Sequence, residues 1–207
     1  MASYRGKRAF DVAVAVPALI ISLPIQLAVG AAVALKLGRP VLFRQLRPGL
    51  HGKPFELIKF RTMLPIDEER GWVDDASRMT AMGRVLRATS LDELPSLLNI
   101  VRGDMSVVGP RPLLMHYLEL YTPEQARRHG VRPGLTGWAQ VCGRNALCWV
   151  DKFALDVEYV DNNSFRGDLR IIAMTVACVL RAKGVTADGE PTMPEFMGAP
   201  AQTGAAA

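Results

Sequence analysis

The chain has 207 residues, enough for one domain with its own hydrophobic core and too few for two large ones. Its 49% hydrophobic content excludes a disordered or collagen-like chain, and three cysteines argue against a disulfide framework and for a reducing compartment. Lys plus Arg number 25 against 20 Asp plus Glu; residues beyond Gly184 hold three acids and no base, so the total of +5 becomes +8 over residues 1–183, an excess that suits a phosphate, nucleic-acid or lipid partner.

Residues 12–35 carry no charge. At about 1.5 Å per helical residue they reach roughly 36 Å, enough to cross a bilayer and too long for the apolar region of a cleaved signal peptide. Pro17 and Pro24 interrupt this helix, and a bend is expected near residues 22–24, with Ser22 or Gln26 covering the carbonyls freed near Ile20. Arg5, Lys7 and Arg8 precede the run and Lys36 and Arg39 follow it, so both ends favour the cytoplasmic side. A re-entrant helix satisfies both charge clusters; a straight, tilted single-pass anchor with a proline kink is the alternative.

Short β-type runs at 41–45 and 55–60 flank a turn-rich stretch and predict a β-hairpin. Met79, Met82, Val85 and Leu86 recur at helical spacing, with Arg78, Arg84 and Arg87 on the other face. Further helices are expected at 92–101, at 113–121 and from Thr122-Pro123-Glu124 onward, where the proline suits a first helical position. In 150–160, Phe153, Val157 and Val160 share a face from which Asp156 points away. Residues 165–183 read as an amphipathic helix, fit either for the core or for a lipid surface. The Ala, Gly and Pro-rich stretch after Gly184 is expected to be mobile and dispensable. The fold class is α+β, mainly helical, with a short hairpin, an N-terminal kinked membrane helix and amphipathic interfacial helices.

Asp92 and Glu93 are adjacent carboxylates in Ser90-Leu91-Asp92-Glu93-Leu94-Pro95. Ser90 and Glu93 fit a capping box, which is a purely structural role. Alternatively, with Arg87 one turn upstream, the carboxylate pair could hold Mg²⁺ bridging a diphosphate. In Gly109-Pro110-Arg111-Pro112 two prolines pre-set the direction of one guanidinium, whose fork suits a phosphate or a planar base. Lys59 and Arg61 alternate to one face of the second hairpin strand. His51, His116 and His129 lack zinc-ligand spacing with any cysteine, and no P-loop, nucleophile elbow or dinucleotide fingerprint is present. Aromatics are only 7% and do not interleave with bases, which argues against single-stranded nucleic acid.

Taken in order, Lys7-Arg8-Ala9-Phe10-Asp11, Arg47-Pro48-Gly49, Lys59-Phe60-Arg61-Thr62-Met63, Ser90-Leu91-Asp92-Glu93-Leu94-Pro95, Gly103-Asp104-Met105-Ser106, Gly109-Pro110-Arg111-Pro112 and Arg132-Pro133-Gly134-Leu135-Thr136-Gly137-Trp138 make the chain resemble the bacterial sugar transferases, the monotopic phosphoglycosyl transferases. The resemblance covers about residues 5–186. It implies transfer of a sugar 1-phosphate from a UDP-sugar to polyprenyl (undecaprenyl) phosphate, releasing UMP, at the cytoplasmic face of the inner membrane, as a first membrane step of glycan assembly. Asp92 matches the family nucleophile and Glu93 completes the dyad, both toward Mg²⁺. Arg87, Arg111 and Lys59 would neutralise phosphate charge, Pro110 and Pro112 would frame the substrate, and Asp156 matches an acidic position of the family site. The implied division is a basic segment with a re-entrant helix at 1–37, a cytoplasmic catalytic domain at 38–186 and a flexible tail at 187–207. Two departures stand out: Leu23-Pro24 where Ser-Pro is common, and Cys142 and Cys148 where Asn and Ser are common. A membrane-tethered binding protein and a transferase acting on a soluble acceptor are the competing classes.

Overall fold

The structure, a computed structural model, describes residues 3–143, 147–181 and 195–198. Helix α1 (Lys7–Leu37) runs unbroken through Pro17 and Pro24. Ser22 Oγ donates to the Leu19 carbonyl at 3.2 Å and accepts from Gln26 Nε2 at 2.9 Å, so the hydroxyl covers Leu19 rather than the expected Ile20. This is the one described helix long and apolar enough to cross a membrane, and only 11% of its most apolar stretch is buried. The exposed part is central: Ile20, Ile21, Leu23, Ile25 and Leu27 all face outward.

Both ends of α1 are fastened to the same body. At the start, Lys7 bridges Asp11 at 3.1 Å and Asp168 at 2.6 Å in a buried cluster that Tyr4 and Tyr159 complete through hydrogen bonds to Asp168. Asp11 accepts from Ser106 Oγ and the Val107 amide, and Arg8 donates to the carbonyls of Ile100 and Val101. At the other end, Arg61 donates to the carbonyls of Leu37 and Gly38. Arg61 thus satisfies orphan carbonyls at a helix terminus instead of facing outward with Lys59.

The predicted hairpin forms from β1 (Leu42–Pro48) and β2 (Pro54–Phe60), paired antiparallel with Lys59 opposite Phe43 and Phe55 opposite Arg47. Helices α2 (Asp75–Arg78) and α3 (Ala81–Ala88) follow. Leu86 is buried against Val33, Leu37 and Phe60, but Val85 is exposed, contrary to the helical stripe expected. Gly83 is obligatory here, because a Cβ would lie 1.9 Å from the Thr62 carbonyl oxygen.

The single helix expected at 92–101 is instead a 3₁₀ turn (Leu91–Ser96) followed by α4 (Leu97–Arg102). Pro95 lacks the N–H that a continuous α-helix would use, so the chain winds tightly until it has passed. The segment expected as a helix at 113–121 is likewise a 3₁₀ turn (Met115–Glu119), and the predicted start at Thr122 opens the short α5 (Pro123–Ala126) with a capping box to Gln125. Strands β3 (Ser106–Val108) and β4 (Gly134–Thr136) pair in parallel, and α6 (Trp138–Cys142), α7 (Trp149–Asn162) and α8 (Phe165–Arg181) complete the described architecture.

Helix α8 buries Asp168 and Ile171 while Phe165, Leu169, Val176 and Val179 stay exposed, so the helix has one core face and one bare apolar face. The segment expected to be dispensable also needs correction where it is described. Phe196 is buried with Tyr117 and Phe153, its amide donates to the Tyr117 hydroxyl at 3.0 Å, and Glu195 pairs with His116. An aromatic ring in an otherwise small-residue stretch is buried by joining the aromatic cluster of Tyr117, Tyr121, Trp149 and Phe153. The rest of 187–207 lies outside the described residues.

Candidate active site

The acidic pair is presented by a strained turn. Ser90 has a φ of 57°, a left-handed conformation rare outside glycine, and its side chain caps nothing. The expected capping box is absent because Glu93 turns elsewhere: its Oε1 accepts from Lys59 Nζ at 2.5 Å and from Arg111 Nη2 at 3.1 Å. Two cations outcompete one backbone amide for a carboxylate. Asp92 is 7% exposed, yet among the described residues it makes no hydrogen bond or ion pair, and its oxygens are not among those sealed from solvent. Leu94, two residues on, packs into both apolar clusters: one contains Ala15, Val14 and Leu19 from the first half of α1, the other Val29 and Val33 from the second. The acidic turn therefore sits against both halves of the long helix.

The cations come from three separate elements. Lys59 projects from β2, and Arg87 from the last turn of α3 is oriented by Thr62 Oγ1, which accepts from its Nε at 3.1 Å. Arg111 is exposed between two buried prolines, Pro110 and Pro112. The flanking prolines restrict the backbone from which the guanidinium projects. Lys59, Arg87 and Arg111 all lie close enough to act on the Asp92 carboxylate.

Asp156 is engaged in an internal ion pair. It is buried and accepts from Arg128 Nε at 3.0 Å and Nη2 at 2.6 Å, so the expectation that it points away from the core is overturned. Asp156 lies three residues after Phe153 and four before Val160, so α7 itself carries it on the buried face, and the guanidinium 28 positions away neutralises it there. Arg128 is a residue that local pattern did not single out, since nothing in Arg127-Arg128-His129 distinguishes it from its neighbours. Its guanidinium lies beside both Tyr121 and Phe153, 5.7 and 5.5 Å from their ring centroids, and its Nη2 also donates to the Arg111 carbonyl at 2.8 Å. Arg128 thus holds the backbone from which Arg111 projects. Phe196 closes the same aromatic box against Phe153 at 4.9 Å.

The electrostatics separate the two neighbouring acids. Burial and then the Glu93 charge push Asp92 above the usual carboxylate range, with Lys59, Arg87 and Arg111 offsetting part of the rise. Burial would raise Glu93 too, but Arg111 and Lys59 outweigh it and hold Glu93 at about 2. Adjacent carboxylates driven apart in this way suit different tasks: a permanently ionised anchor and a more basic, unpaired oxygen nucleophile. As metal ligands they also differ. Asp92 offers free oxygens, whereas Glu93 Oε1 is taken by two cations, and no three His, Cys, Asp or Glu side chains converge among the described residues. This fits Mg²⁺ held by one carboxylate together with substrate phosphates and water, and does not fit an all-protein cage.

Of the two departing cysteines, Cys148 stands at the start of α7 and its Sγ donates to Asp151 Oδ2 at 3.2 Å, as a serine would. Cys142 is exposed at the end of α6. Residues 144–146 between them lie outside the described residues.

An apolar helix is thus tied at both ends to a small domain, with an acid pair among three cations beside it. Residues 2–182 match the bacterial sugar transferase family, and the chain belongs to it. It is 53% identical to the sugar transferase EpsL of Bacillus subtilis over 193 residues, 93% of this chain and 96% of that one. It is 42% identical to the UDP-glucose:undecaprenyl-phosphate glucose-1-phosphate transferase of Caulobacter vibrioides (84% of this chain, 69% of that one). It is 39% identical to the exopolysaccharide production protein ExoY of Rhizobium meliloti (86% and 87%).

Proposed function

We propose that the chain transfers a sugar 1-phosphate from a UDP-sugar to polyprenyl phosphate and releases UMP, with Asp92 as nucleophile. The observation that carries this reading is the unpaired Asp92 carboxylate among Lys59, Arg87 and Arg111, in a turn packed on the apolar helix. An Asp92 oxygen attacks the sugar-linked phosphorus, the diphosphate P–O bond breaks, and UMP leaves with the bonding pair. A polyprenyl phosphate oxygen then attacks the same phosphorus, and the aspartate–phosphorus bond breaks to return the carboxylate. Glu93, held ionised, keeps Lys59 and Arg111 in place between turnovers, and Arg128 keeps Arg111 directed into the cleft. Mg²⁺, when bound at Asp92 and the substrate phosphates, would supply further neutralisation of diphosphate charge. The Caulobacter relative is named for glucose, and the stretch around 142–148 of this chain differs from the common family pattern. UMP release, assayed across a panel of UDP-sugars with polyprenyl phosphate and Mg²⁺, tests the reading. Release that occurs equally without the lipid phosphate, or with none of the donors, overturns it.

The same reading has the helix enter one leaflet and return to the same side, its exposed centre in the acyl region and its two fastened ends, with Arg5, Arg8, Lys36 and Arg39, at the cytoplasmic surface. The bare face of α8 would lie on that surface. Ser3→Cys and Arg39→Cys, each in a chain whose native cysteines are replaced by serine, are expected to stay unlabelled by an impermeant thiol reagent in intact cells. Both should label after permeabilisation. Labelling of position 3 alone in intact cells means a spanning helix.

A further inference from the structure

Arg47 is a charged group without a counter-ion. Its guanidinium is half-buried, and its Nη2 donates to Gln45 Oε1 at 2.6 Å. Its Nε is sealed from solvent and has no partner, and among the described residues Arg47 pairs with no carboxylate. Burying a cationic donor this way is costly unless an anion arrives to meet it.

The surroundings say what that anion is. Arg47 and Lys59 lie on one face of the hairpin, since Arg47 pairs with Phe55 and Phe43 with Lys59, an even four residues apart along each strand. Pro48, the next residue, lines a small cleft with Pro110, Arg111, Pro112 and Arg128. Burial first, and then the nearby Arg111 charge, lower Arg47 to about 10. Two guanidiniums press on each other here; of the two acids near Arg111 and Lys59, Glu93 already has both of those cations on a single oxygen, and neither Glu93 nor Asp92 pairs with Arg47. The unmet demand is for a multiply charged, oxygen-rich anion.

We propose that Arg47 is a substrate-binding residue, which with Arg111 grips a phosphate group of a bound substrate. This rests on the phosphotransfer reading above. The phosphate belongs either to the donor diphosphate or to the lipid acceptor, and the two sources give different kinetics.

The test compares full-length wild type, Arg47→Gln and Arg47→Lys in detergent. Inorganic pyrophosphate should raise the melting temperature of the wild type, and this shift should be lost in Arg47→Gln and partly kept in Arg47→Lys. Without pyrophosphate, Arg47→Gln should melt at or above the wild-type temperature, because an uncompensated buried charge is gone; a purely structural arginine would give the opposite. In turnover, Arg47→Gln should raise one KM tenfold or more. A rise for the UDP-sugar assigns the donor diphosphate, and a rise for polyprenyl phosphate assigns the acceptor. A pyrophosphate shift unchanged in Arg47→Gln, or a lowered melting temperature with both KM values unchanged, overturns the proposal. Because pyrophosphate binding needs no turnover, an Arg47-dependent shift in a chain inactive with every UDP-sugar would sink the phosphotransfer reading and leave the anion site standing.

Discussion

Asp92→Asn is expected to abolish UMP release and the trapping of labelled phosphosugar on the protein, a loss on the order of 10⁴-fold or more, because an amide cannot form the aspartyl phosphate. The fold should be spared. Asp92 makes no hydrogen bond or ion pair among the described residues, so a neutral isostere breaks none and removes a partly buried charge. Membrane association should be unchanged, since α1 is held by Lys7, Arg8, Asp11 and Arg61 and not by Asp92. Trapping of label by Asp92→Asn at the wild-type level would remove Asp92 as the nucleophile. The pH profile offers a second check. Burial and Glu93 raise Asp92, and the attacking form is the carboxylate, so activity is lost as the pH falls through a value above the ordinary aspartate pKa of about 3.9. An acid limb at or below the ordinary value would contradict the assignment.

The second large effect concerns a residue that touches no substrate in this reading. Arg128→Met leaves Asp156 as a buried, unpaired carboxylate, which is expected to cost about 3–5 kcal/mol. Turnover should also fall by on the order of 10²-fold, because the Arg111 carbonyl loses its donor and the Pro110-Arg111-Pro112 turn is free to shift. The two consequences separate in a double variant. Arg128→Met with Asp156→Leu removes both charges and fills the box between Tyr121 and Phe153 with apolar atoms, so the melting temperature should recover toward the wild type. Turnover should not recover, because neither replacement can donate to the Arg111 carbonyl. Recovery of both would mean that the ion pair only stabilises the fold.

Much of this molecule was legible before any coordinates. The uncharged run at 12–35, with basic residues at both ends, is a property of composition along the chain, and the structure has it as one long exposed helix. The hairpin followed from two β-type runs around a turn-rich stretch, and the short helix at Thr122 from a capping pattern that the structure realises. Asp92, Glu93, Lys59, Arg87 and Arg111 were singled out by local motif, and the structure brings these five together. Local pattern succeeded wherever the deciding forces act between residues a few positions apart.

It failed where a distant partner decided the outcome. Ser90 and Glu93 have the spacing of a capping box, but Lys59 and Arg111, 34 and 18 positions away, claim the glutamate. Asp156 is expected to point away from the apolar face of its helix, yet it stands three residues after Phe153 and four before Val160 on the buried face, where distant Arg128 neutralises it. Arg61 alternates with Lys59 along one strand and ends instead on the last carbonyls of α1, and Phe196 leaves a small-residue stretch to complete an aromatic cluster. The amino-acid sequence by itself thus determined which segments could be helix, strand or membrane-seeking and which side chains could handle phosphate. Only the tertiary structure decided which of those charges are neutralised internally and which remain for a substrate. Pairing between charges is a matter of proximity in space, and in this chain the decisive partners lie 18 to 161 positions apart.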